Sequence, residues 1–138
     1  MAMTAEEKQA MKDTMAERAK ARKKMTPEQL EGEVLEKIDL MAPADQSIAA
    51  KVHEIVRTHA PNLQPKTWYG MQAYCNAEGK TVVFFQDAGK FKTRYCTLGF
   101  QDAANLDDGD FWPTSYAVAK MTPAVETLIA ERIKLAIS

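Results

Sequence analysis

Apolar residues recur every three or four positions in three stretches of the chain, and each stretch predicts a helix with one buried face. Leu30, Val34, Ile38 and Met41 form the first stripe; Ile48, Val52, Ile55 and Val56 the second; Val125, Leu128, Ile129, Ile133 and Ile137 the third. Start and stop signals frame them. Thr26, Pro27 and Gln29 supply the cap, the first helical residue and the capping-box partner of the first helix, which closes before Pro43. The second runs from about Asp45 to His59 with Pro61 as its stop, and Thr122 with Pro123 opens the third. Upstream, Thr4 and Glu7 fit a capping box and nothing breaks a helix from there to Lys24. Its stripe is thin: Met11, Met15 and Ala19. A helix this polar gains little by packing, so it leans on a partner or frays.

Beyond Pro61 the period changes. PNLQPKT holds two prolines and reads as an extended connector. After it, residues 67–75, 80–86 and 91–99 are strand candidates, joined by the hairpin-length loops NAEG and DAGK, and TSYAVAK reads as a fourth strand. Asp102 opens a short helical turn through Leu106, and DDGD is a loop. Helices, antiparallel strands and a closing helix predict an α+β two-layer sandwich, an antiparallel sheet of about four or five strands covered on one face by helices. Residues 1–41 are then an N-terminal helical extension and 42–138 the α+β domain. Alternation along 91–99 assigns Phe91 and Tyr95 to the core face, leaving Lys92 and Arg94 on the open face or at a rim. Trp68 and Tyr69 point to opposite faces of a regular strand, with Gly70 making space for a bend. His53 and His59 read as surface histidines.

Composition changes this picture little. Of 138 residues, 46% are hydrophobic and 27% charged, which describes a globular domain rather than a disordered or fibrous chain. No apolar run is long enough to span a bilayer, and the acidic, alanine-rich start MAMTAEEKQA lacks signal-peptide character, so a cytoplasmic protein is expected. The net charge of −1 hides an asymmetry: residues 1–25 carry seven basic and four acidic side chains, a net of +3. The basic cluster RAKARKK could touch phosphate, but a run so short suits a solvated helix end, and a nucleic-acid surface is not expected. Cys75 and Cys96 have no CxxC spacing and read as buried free thiols. GxSxG, P-loop, GxGxxG and HExxH motifs are absent, so a non-enzymatic protein is expected.

Two sets of residues could carry binding chemistry. Trp68, Tyr69, Tyr74 and Trp112, with Tyr116 beside them, either anchor the core or wall a cavity; Lys92 and Arg94 offer an ammonium and a guanidinium to a carboxylate or phosphate, or simply keep an exposed face soluble. Asp107, Asp108 and Asp110, with Asp102 nearby, are the one dense carboxylate group, though their spacing fits no EF-hand loop and a solvated loop is the plain alternative. Glu28, Glu31, Glu33 and Glu36 read as the solvated face of a helix.

KTWYGMQAY, VVFFQ, KFKTRYCTLGF and LDDGDFWPT together resemble the YdhG-like family of bacterial domains, grouped with the YjbR/CyaY-like proteins, over about residues 42–138. Gln72 stands where the family pattern WYGMPAY has proline. The resemblance implies a helix-backed antiparallel sheet and, for some members, a frataxin-like intracellular iron chaperone, for which the acidic second helix and Asp107, Asp108 and Asp110 are the candidates. Three functions are therefore expected in competition. They are a cofactor-free binding protein that surrounds a small anionic ligand or partner segment with Trp68, Tyr69, Tyr74, Lys92, Arg94 and Trp112; an iron-handling protein; and a homodimeric interaction module clamped by the first helix.

Overall fold

The structure, a computed structural model, describes residues 4–21 and 25–138, the stretch 16–21 by its backbone alone. Five strands, β1 (Gln64–Trp68), β2 (Met71–Cys75), β3 (Thr81–Gln86), β4 (Cys96–Phe100) and β5 (Ser115–Val118), form an antiparallel meander in chain order. Helices α1 (Ala5–Ala21), α2 (Pro27–Asp39), α3 (Pro43–His59), the short α4 (Ala88–Phe91) and α5 (Pro123–Ala136) complete an α+β fold with helices packed against the sheet.

The helix signals act as expected. In α2 the Gln29 amide donates to Thr26 Oγ1 at 3.1 Å while the Thr26 amide donates to Gln29 Oε1 at 2.9 Å, so the capping box is closed from both sides. Thr122 Oγ1 accepts from the Val125 amide, and Thr4 Oγ1 from the Glu7 amide. Of the segment expected as an N-terminal extension, α2 lends Val34 and Ile38 to the core and packs against β1 and β2.

Two strands differ from the expectation. The run 67–75 is a hairpin rather than one strand: Tyr69 (φ 50°) and Gly70 (φ 78°) are both left-handed, a two-residue connection whose twist matches the flanking strands, and the proline-containing connector becomes β1. Pro65 is tolerated because β1 is an edge. The run 91–99 begins with α4, which Asp87 caps by accepting the Lys90 amide and which Lys92, at φ 53°, closes. Only Cys96 onward is strand, so alternation does not reach Lys92, Arg94 or Tyr95. Cys96, not Tyr95, is buried in the core.

Register sorts the faces. Gln72 pairs with Phe85, Phe85 with Leu98, and Leu98 with Tyr116; Tyr74 pairs with Val83, and Val83 with Phe100. This set meets Val34, Val52, Val56, Ile129 and Ile133 from the helices, each fully buried aliphatic side chain contributing roughly 1.5–3 kcal/mol. A bulge opposite Tyr74 and Cys75 lets Val82 join Val83 in the same cluster. The other face carries Lys66, Trp68, Ala73, Phe84 and Gly99. Gly99 has to be glycine there, because a Cβ would collide with the Phe84 ring lying across it.

Candidate functional site

The β1–β2 hairpin tip, α4, the end of α2 and the first half of α1 meet at one end of the sheet. Their meeting is built by polar anchors. Asp45, in the first turn of α3, accepts the Gly89 amide at 2.8 Å and pins α4 to the helical layer. From α4, the Lys90 ammonium reaches across to donate to the Gly70 carbonyl at 3.1 Å. Gly70 is thereby constrained twice, by its left-handed backbone and because a Cβ would run into Lys90 Nζ. Beside it Trp68 packs edge-on against Tyr69, centroids 5.0 Å apart, and tilted against Phe84 at 5.2 Å.

Into this notch α1 inserts a carboxylate. Asp13 Oδ2 lies 2.7 Å from Lys90 Nζ and 3.2 Å from Lys37 Nζ, while Gln9 Nε2 donates to Asp13 Oδ1 at 3.0 Å. The Asp13 side chain is only 11% exposed. Burial alone would raise its pKa, but the hydrogen bonds from Lys90 and Gln9 and the charges of Lys90 and Lys37 prevail and hold it below the ordinary aspartate value. Two helical turns earlier, Glu6 pairs with Lys92 at 2.8 Å; that hydrogen bond lowers the pKa of Glu6 and raises that of Lys92. Around Asp13 a cavity of about 470 Å³ remains, lined by Lys37, Leu40, Gly70, Gly89 and Lys90 among others. The expected apolar stripe of α1 is turned outward, since Met11 and Met15 are exposed. The helix is held by its charges.

Of the residues expected to bind a ligand, Trp68 and Tyr69 pack together at the hairpin tip, while Lys92 ends α4 and pairs with Glu6. The others lie elsewhere. Tyr74 is fully buried in the core and can touch no ligand. Arg94 is exposed in the loop before β4, its guanidinium 5.2 Å from the Tyr95 ring centroid. Trp112 packs half-buried against the core and precedes Thr114, whose carbonyl accepts the Phe100 amide, toward the opposite end of the sheet. Asp107, Asp108 and Asp110 are exposed on that same connection, and among the described residues no three His, Cys, Asp or Glu side chains gather as a metal site would require. The RAKARKK cluster, with Ala19, lies outside the described side chains. Among the described residues no helix is long and apolar enough to cross a membrane.

His53 is a correction: it is buried, not on the surface. Gln72 Nε2 donates to the Ala49 carbonyl at 3.1 Å and to Tyr74 Oη at 2.9 Å. The phenol shares a second hydrogen bond with His53 Nδ1 at 2.8 Å, and His53 Nε2 lies 2.9 Å from Glu31 Oε2, where Arg57 Nε also arrives at 3.2 Å. Glu31 is thus no mere solvated helix residue. The chain resembles a proton relay, but burial raises the Tyr74 pKa and seals the hydroxyl from any substrate, so it fixes the packing of α2, α3 and β2. Cys75 and Cys96 are buried free thiols, as expected; burial, aided by the hydrogen bond to Asp45, pushes Cys96 up to about 11.

Lys37, Lys90, Asp13 and Glu6 carried no sequence signal as a site, because they lie on three separate helices and meet only through the fold. No family model, characterised protein or solved structure matches the chain.

Proposed function

We propose that the protein is a non-enzymatic binding module that grips carboxylates of an acidic partner segment at the hairpin end of its sheet. Lys90 and Lys37 form the inner seat, Lys92 the outer one, and Trp68 with Tyr69 the aromatic flank. What supports this reading is Asp13, a largely buried carboxylate shared by two ammonium groups. A helix bearing two acids seven residues apart, as Glu6 and Asp13 are, can engage both seats from one face. Apolar surface beside the notch favours a protein segment over a small ion, for Leu40 is 83% and Tyr69 48% exposed.

The test uses the full chain with Glu6→Ala and Asp13→Ala, which empties the seats of their own acids, and a synthetic peptide of residues 4–17, whose four acids outnumber its two lysines, as the acidic probe. Trp68 fluorescence is expected to report saturable binding that disappears when Lys37→Ala and Lys90→Ala are added. Binding indifferent to both lysines, or none at all, contradicts the reading.

A further inference from the structure

At the other edge of the sheet, β5 and α5 splay apart around a cleft of about 280 Å³. Its walls are apolar: Val118 and the Tyr116 ring from β5, Val125, Leu128 and Ile129 from α5. Leu128 belongs to the α5 stripe expected to be buried, yet it is 56% exposed. The stripe therefore continues past the protein's own core into this opening. One charge stands at the site. Arg132 lines the cleft with its guanidinium 5.9 Å from the Tyr116 ring centroid, and no carboxylate among the described residues pairs with it. Beneath, the Tyr116 hydroxyl is shut off from solvent and has no hydrogen-bond partner among the described residues. Lys37 and Lys90, which line the cavity at the hairpin end, by contrast share Asp13.

We infer that this cleft binds a small monocarboxylate with an apolar body, its carboxylate on Arg132 and its hydrocarbon against Val125, Leu128 and Ile129. Guanidinium presents paired donors in the plane that a carboxylate requires, and the Tyr116 ring attracts its charge from 5.9 Å away. The volume sets the size, because clefts of drug-sized ligands begin at roughly 300 Å³, so a short aliphatic chain or a single ring fits and a long acyl chain does not. A second copy of the chain is the weaker occupant: a stable protein interface buries roughly 800 Å² per partner, far more than one cleft with one protruding leucine supplies. This site is independent of the carboxylate seats at the hairpin end.

The full-length protein is titrated with hexanoate and, separately, with the neutral hexanamide, while the methyl resonances of Val118, Val125, Leu128 and Ile129 are followed. Hexanoate is expected to shift those methyls saturably with a dissociation constant below roughly 1 mM, about tenfold tighter than hexanamide. Arg132→Ala removes the preference and leaves hexanamide binding unchanged; because Arg132 is exposed, the variant retains the fold. Absence of saturable shifts up to roughly 10 mM overturns the inference. So does a hexanoate affinity unaltered by Arg132→Ala, or a concentration-dependent dimer that Leu128→Glu dissociates.

Discussion

Replacing Tyr74 by phenylalanine removes one oxygen and leaves the ring, so the outcome isolates the buried network from the packing around it. The phenol makes two hydrogen bonds, one accepted from Gln72 Nε2 and one shared with His53 Nδ1, at a position with no solvent exposure. Its loss strands the Gln72 donor and the His53 ring nitrogen, and a buried polar group left without a partner costs roughly 1–3 kcal/mol. Two terms moderate the sum. Gln72 Nε2 keeps its bond to the Ala49 carbonyl, and the phenol's own desolvation no longer opposes folding. A net loss of about 2–3 kcal/mol follows, and at roughly 3–4 °C per kcal/mol for a chain of this length the melting temperature falls by about 6–12 °C. Urea unfolding followed by circular dichroism reads it, with a lower midpoint and an unchanged slope. Adding Gln72→Leu, which removes the orphaned donor as well, costs less than the two single losses combined. A Tyr74→Phe protein within about 0.5 kcal/mol of the parent refutes the reasoning, since the hydroxyl would then be doing without these partners.

Other consequences can be checked more briefly. Because the Asp13 pKa is lowered in the folded protein, its carboxylate stabilises the docked α1 at all pH values above its ordinary 3.8 and ceases to do so as pH falls from there through the lower folded value. Amide exchange in α1 is therefore expected to accelerate across that acid window while α3 and the sheet stay protected, and Asp13→Asn reproduces the loss at neutral pH. Equal acceleration in α1 and α3 counts against a separate electrostatic tether. Cys96, with its thiol pushed up to about 11 and its side chain buried, resists iodoacetamide at pH 8 in the native protein and reacts once unfolded in urea. Native labelling would show that the Asp45 contact does not persist. Gly70→Ala strains a left-handed turn and crowds Lys90, so a loss of about 1–2 kcal/mol with altered Trp68 fluorescence is expected, against no change if the hairpin tip tolerates a side chain.

The helices were legible because their signals are local: Thr26 with Gln29 and Thr122 with Pro123 mark starts within a few residues, and stripes such as Val34 and Ile38 lie on one face. The hairpin at Tyr69 and Gly70 was not, because the strongest short-range turn pairs are Asn-Gly and Asp-Gly, and a tyrosine at φ 50° carries no such mark. DAGK misled for the converse reason. Four residues that include an aspartate and a glycine suit a hairpin loop, yet here Asp87 caps a helical turn whose anchor, Asp45, lies far away in sequence. His53 was misplaced because its burial depends on Glu31 and Tyr74, each more than twenty residues distant, which periodicity cannot sense. The same limit applies at the sheet end. Trp68, Tyr69 and Lys92 were visible as residue types, whereas the seat formed by Lys37, Lys90 and Asp13 exists only after α1, α2 and α4 have converged.

The carbon-13 titration of the Asp13 side-chain carboxyl tests the central claim most directly. If this carboxylate sits between Lys37 and Lys90, it titrates below 3.8 and moves back toward that value in the Lys37→Ala, Lys90→Ala protein. An ordinary titration, unchanged by loss of both lysines, would mean that the notch holds no acid and that the proposed recognition has no foundation.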